Sequence, residues 1–184
     1  MKTRVGLFAL VLAFFGSSGL ALTSDDLKLI KPAAEGGSDS SQVLLAVAYL
    51  NGDGGLTKDP TQAVYWFEQA AIQGNAYAEE RLGGLYAQGL GVPANPKLAF
   101  DWYFKAANRG VVPAQVKVGK MYQEGAGVGK DVEKAISWFH RAAAEGSAEA
   151  QFLLGKIHHK DMTIFRPQKT DALTIRLIDP TVPQ

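Results

Sequence analysis

Trp66, Trp102 and Trp138 are the only tryptophans in the chain, and they stand 36 residues apart. The same interval links Gly74, Gly110 and Gly146, then Ala63, Ala99 and Ala135, then the pairs Ala70-Ala71, Ala106-Ala107 and Ala142-Ala143. Tyr86 and Tyr122 keep it, as do Gly83, Gly119 and Gly155. Tyr49 lies 37 before Tyr86, because the loop at 52–59 carries one extra residue. A fixed period in which apolar, small and turn residues each return to their own slots restricts the chain to stacked supersecondary units. No one unit can bury its apolar face alone.

Each unit reads as two helices. Helix A covers about 76–88, 112–124 and 148–160, with an earlier copy near 39–51, and helix B covers about 60–73, 96–109 and 132–145. In the last helix B, Val132, Ala135, Ile136, Phe139, Ala142 and Ala143 follow the three-and-four spacing of a buried stripe. Asp59-Pro60 and Asn95-Pro96 place an N-cap before a proline in the first turn, and Asp131 is the same cap without proline. Gly74, Gly110 and Gly146 suit the left-handed residue that ends helix B, and Gly52, Gly89 and Gly125 do the same for helix A. Alanine pairs late in helix B and glycine midway along helix A predict close helix axes, with the large Trp and Tyr filling the space beside them.

Of the three full units, the second and third read Ala78, Leu82-Gly83, Tyr86, Gly89, Gly91-Val92, Asn95, Ala99, Trp102-Tyr103, Lys105-Ala106-Ala107, Gly110, and then Ala114, Val118-Gly119, Tyr122, Gly125, Gly127-Val128, Asp131, Lys134-Ala135, Trp138-Phe139, Arg141-Ala142-Ala143, Gly146. This pattern resembles the Sel-one-like repeat (SLR), a relative of the tetratricopeptide repeat, over about residues 38–160. The resemblance implies an all-α, right-handed α/α solenoid of tandem two-helix repeats with a non-repeat C-terminal tail. Its slots are structural, so it implies a protein-binding role and carries over no catalytic residue. The first unit departs from the pattern, with Ala46 in the glycine slot and Gly-Leu in place of Gly-Val.

The units divide as 38–74, 75–110 and 111–146, followed by a final helix A. Ala33-Ala34 and Gly37 lie 37 before Ala70-Ala71 and Gly74, so 22–37 reads as a degenerate helix B that caps the array. Residues 1–21 have the form of a signal peptide: Lys2 and Arg4, an apolar stretch at 5–15, and small residues at Gly19 and Ala21, with cleavage expected before Leu22. The stretch is shorter than the ~20 residues of a spanning helix, and with no cysteine in the chain there is no lipid-anchored start and no disulfide. Periplasmic or secreted localisation is the expectation, with 17 bases against 18 acids after removal of the signal. Residues 161–184 leave the repeat. Leu173, Ile175 and Leu177 alternate with polar residues as a half-buried strand does, a short helix from Asp171 being the competing reading, and the expected role is a cap on the last unit.

Near-neutral charge without Lys/Arg runs argues against nucleic acid. His158, His159 and Asp161 suggest a metal at first sight, but adjacent histidines on a helix point about 100° apart, and His158 holds the tyrosine slot. The run Gly125 to Asp131 has the wrong spacing for a phosphate loop and follows a helix. No Gly-x-Ser-x-Gly elbow is present, so no enzyme, cofactor or metal is expected.

Stacked helix pairs curve, and the concave wall is the usual binding surface; in tetratricopeptide-type arrays helix A lines it. The slots that vary between units are the candidates for partner contact. On helix A these are Glu80, Arg81, Gly84 and Gln88, then Val116, Lys117, Lys120 and Glu124, then Phe152, Lys156 and Lys160. Tyr77 also varies, and helix B adds Tyr65, Asp101, Phe104 and His140. Tyr65 and Phe104 stand out because aromatic residues anchor interfaces. The expected function is an exported adaptor or scaffold, monomeric, holding a peptide or protein partner of the cell envelope, with no membrane span in the mature form. The alternatives are an immunity or inhibitor protein against a secreted toxin, and a cell-wall-active or β-lactam-binding enzyme.

Overall fold

Helices start and stop where the sequence supplies caps. A computed structural model of the protein describes residues 22–164, with side chains through Ile157. The signal-peptide stretch, the tail after 164, and the side chains of His158, His159, Lys160 and Asp161 lie outside the described residues. Among these residues there are eight α-helices: α1 (Ser24–Glu35), α2 (Asp39–Asn51), α3 (Pro60–Ile72), α4 (Ala76–Gln88), α5 (Pro96–Asn108), α6 (Val112–Glu124), α7 (Val132–Ala144) and α8 (Ala148–Ile164). A 3-10 turn at Asp53–Gly55 fills the longer first loop. Asp59, Asn95 and Asp131 cap α3, α5 and α7 through side-chain oxygens that accept from backbone N–H groups of the first turn. Gly52, Gly89 and Gly125 end α2, α4 and α6 in the left-handed conformation, at φ 78°, 70° and 79°. Each helix packs on the one before it and the one after it, the arrangement of an all-α solenoid.

The repeated small residues are explained by what lies against them. A Cβ on Gly83 would sit 2.6 Å from the ring of Tyr103, and one on Gly119 would sit 2.5 Å from the ring of Phe139. The aromatic that fills the glycine slot is therefore the residue after each tryptophan, not the tryptophan. The tryptophans point backwards along the array. Trp66 packs on the cluster of α1 and α2 and on that of α2 to α4; Trp102 packs on the α2 to α4 cluster; and Trp138 is buried with α5 and α6. Each one pins its helix B to the preceding unit, which is why it recurs with the full period. Phe67 and Phe139 are fully buried, each worth about 1.5–3 kcal/mol of transfer free energy.

A second fastening joins the loops. A Cβ on Gly91 would overlap the carbonyl of Pro60, and one on Gly127 the carbonyl of Pro96. The loop of each unit thus presses on the first turn of helix B in the unit before. Gly54 meets the Thr23 carbonyl and the Leu27 side chain of α1 in the same way. By this contact α1 occupies the place of a helix B. It begins with a capping box in which Thr23 and Asp26 each accept from the other's backbone. It buries Leu27, Ile30 and Ala34 against Leu44, Leu45 and Ala48 of α2.

Candidate partner-binding site

Helices α2, α4, α6 and α8 are the four copies of helix A. Along α4, the residues that pack inward are Ala78, Leu82, Gly83 and Leu85. The positions left over on one side are Glu80, Arg81, Gly84 and Gln88. These four, with Lys117 of α6, line a single hollow of about 230 Å³. Leu50 of α2, Leu85 and Leu90 supply its apolar wall, and Tyr103 of α5 comes up between the helices. Five of the variable slots singled out from the sequence therefore converge on one place.

Tyr103 reaches the hollow because two glycines stand in line. Its ring occupies the space a Cβ on Gly83 would need, and its hydroxyl emerges 3.5 Å from where a Cβ on Gly84 would lie. In the next unit Phe139 lies against Gly119 and Lys120 fills the second position, so no hydroxyl emerges there. Burial pushes the Tyr103 phenol up to about 12; the Glu80 carboxylate adds to this and Arg81 opposes it. The hydroxyl is a neutral donor at every physiological pH. Tyr103 stands in a slot that the repeat pattern makes structural, which is why the sequence reading passed over it. The signal was present in the Gly83-Gly84 doublet and in tyrosine where the neighbouring units have Phe67 and Phe139.

The remaining candidates do not line this hollow. Lys120 is tied to Glu149 of α8 at 2.6 Å, which holds that carboxyl below its usual range. Glu124 and Lys156 are exposed further along, Lys156 with its ammonium 5.7 Å from the centre of the Phe152 ring, itself 66% exposed. Tyr77 lies 6.5 Å from the Phe67 ring, with the Arg81 guanidinium 5.9 Å from its own. Tyr65 is 50% exposed on α3, edge-on to Trp66; Asp101 and His140 are exposed on α5 and α7. One expectation is corrected. Val116 is 2% exposed, packed with Ala135, Phe139 and Ala150, so its variation tracks core packing. Phe104 is half-buried, stacked on Phe100 at 5.6 Å and edge-on to Trp138 at 5.6 Å, and serves the joint between α5 and α7.

A larger hollow lies at the N-terminal cap, between α1 and the 3-10 turn, and contains none of the variable slots. The run from Gly125 to Asp131 is a helix-to-helix turn, with Gly125 ending α6 and Asp131 capping α7. Among the described residues no group of three or more His, Cys, Asp or Glu is placed to hold a metal ion. No helix among them is long and apolar enough to cross a membrane.

The Sel1 repeat family model matches residues 39–75, 76–111, 112–147 and 148–164. A solved Sel1 repeat protein from Oxalobacter formigenes is 40% identical, with a TM-score of 0.66, over 71% of this chain and 98% of that one. A protective antigen present in uropathogenic Escherichia coli, displaying an SLR fold, is 36% identical with a TM-score of 0.73. The match covers 77% of this chain and 30% of the antigen, so the chain spans less than a third of that relative. Helicobacter pylori cysteine rich protein B shares the fold at 20% identity and a TM-score of 0.58, over 72% of this chain and 98% of that one. No curated protein sequence matches. Sel1 repeats are generally protein–protein interaction scaffolds and mostly not enzymes. With the repeat register, the helix order and these matches in agreement, the chain belongs to the Sel1 repeat family.

Proposed function

We propose that the protein is an exported scaffold of the cell envelope that holds a peptide or protein partner on the wall formed by its A helices. The observation that carries this reading is the convergence of Glu80, Arg81, Gly84, Gln88 and Lys117 on one hollow. Helix and repeat geometry bring these five slots to one face, and what supports a partner there is that the face is concave, lined with charged and apolar side chains, and differs from the equivalent place between α6 and α8. Export rests on the basic, apolar and small-residue order of residues 1–21. Scaffold and toxin inhibitor are two uses of the same surface, and the partner's identity decides between them.

The test is affinity capture from a native envelope fraction, using protein that begins at Leu22 and carries an N-terminal tag. A dominant partner that is retained by the parent and lost from an Arg81→Gln, Lys117→Gln double variant supports the proposal. A partner retained equally by both, or no partner with folded protein, contradicts it.

A further inference from the structure

The hollow between α4 and α6 contains two cations without an ion-pair partner, although the Glu149 carboxylate, held by Lys120, lies near enough to Lys117 to feel its charge. Arg81 and Lys117 are copies of one slot, 36 residues apart, and neither forms an ion pair among the described residues, whereas Arg109 is paired with Glu79, Lys120 with Glu149 and Lys134 with Asp131. The Nε of Arg81 is buried and has no hydrogen-bond partner. A buried donor left unmade is costly, and a carboxylate in the hollow that draws the Arg81 guanidinium outward relieves that cost. Glu80 faces the same space, so the lining holds two positive charges and one negative. That balance suits one added carboxylate and disfavours a polyanion.

We infer that the hollow recognises a single aspartate or glutamate side chain within a peptide segment laid across α2, α4 and α6, with a neighbouring apolar side chain against Leu50, Leu85 and Leu90. The inference rests on the binding wall proposed above and assigns its chemistry. Arg81 presents a planar fork that matches a carboxylate, Lys117 adds a point charge, and the neutral Tyr103 hydroxyl can donate a further bond. Glu80 repels the incoming acid and tunes its affinity downwards. The equivalent place between α6 and α8 is closed by the Lys120–Glu149 pair, so the protein itself supplies the carboxylate there.

The test uses the chain from Leu22 to Gln184 on an array of random 12-residue peptides, acetylated and amidated to remove terminal charges, with affinities of retained peptides measured by fluorescence anisotropy. Retained peptides should carry Asp or Glu beside Leu, Ile or Phe. Changing that acid to its amide should weaken binding about tenfold or more. Arg81→Gln should remove the preference, so that acid and amide peptides bind alike, and Glu80→Gln should tighten the acidic peptide. Lys117→Gln, at an exposed position, carries the same test should Arg81→Gln fail to fold. Gly84→Leu, which fills the hollow, should abolish binding. Peptides blocked by Gly84→Leu but indifferent to acid or amide, or a preference that survives Arg81→Gln and Lys117→Gln, overturn the inference while the wall stands. No retained peptide, or binding untouched by Gly84→Leu, overturns both.

Discussion

Arg109 at the end of α5 donates its Nε–H to both carboxylate oxygens of Glu79, at 3.2 and 3.0 Å, and Glu79 is 2% exposed in the first turn of α4. The same two slots one unit earlier hold Gln73 and Gln42, joined by a bond of 2.8 Å from Nε2 to Oε1. A buried polar residue at the start of helix A is thus clamped by the residue that closes the following helix B.

Removing one side of this clamp exposes its cost. Arg109→Ala leaves a buried carboxylate unpaired and should destabilise the protein by about 2 kcal/mol, less than for a fully buried pair because Arg109 is half-exposed. The double variant Glu79→Gln, Arg109→Gln copies the first unit's solution and should lie within about 1 kcal/mol of the parent. Urea unfolding followed by circular dichroism measures both.

In the third unit the clamp is missing. Gln115 is buried with its Oε1 unpartnered, and Glu145, a carboxylate, occupies the closing slot. Installing the second unit's pair, Gln115→Glu with Glu145→Arg, should stabilise the protein by about 1 kcal/mol. Glu145→Arg alone, which offers the Gln115 oxygen a donor, should give part of that gain. A lowered melting temperature for the double variant would show that the two slots do not meet as they do in the second unit.

Loop glycines with similar backbone angles should respond differently. Gly91 and Gly127 have φ of 77° and 71°, and a Cβ at either would collide with the backbone of the preceding unit. Gly110 and Gly146, at φ 88° and 89°, have nothing within 4 Å of that position. Alanine at the second pair should cost about 1–2 kcal/mol, the price of the left-handed conformation alone. Alanine at the first pair should cost more, about 3 kcal/mol or above, because the stacking of units must also give way.

One helix start lacks its cap. Val111 precedes α6 at φ −71°, ψ 103°, close to the −69°, 108° of Asn75, whose side chain accepts from Ala78 N. Val111→Asn gains a cap worth about 0.5–1 kcal/mol but gives up the valine's packing on the α5–α6 core, so the urea midpoint should change little, whereas Val111→Ala, which loses packing and gains no cap, should lower it.

Repetition made the scaffold legible. Helix ends at Asp59, Asn95 and Asp131, the glycine slots and the α-solenoid all follow from residues that recur because their local backbone or close contact demands it. The clamp was not legible, since one slot reads Gln42, Glu79 and Gln115 and the other Gln73, Arg109 and Glu145, and only spatial pairing reveals one device. Variation was also an imperfect guide to surface. Val116 varies in the core, where neighbouring units pack differently, whereas Gln88 and Lys117 vary at exposed positions. Tyr103 shows the converse, a residue in a packing slot whose one polar atom reaches the hollow.

Photo-crosslinking inside intact cells would show whether a partner lies against α4 and α6. A benzophenone amino acid would replace Gln88 at the edge of the hollow or, as a control, the exposed Lys97 on α5. A partner on this wall should give one discrete crosslinked protein from position 88 that is absent from position 97 and lost when Arg81→Gln is added. Crosslinks of equal yield from both positions, or from position 97 alone, would contradict that placement.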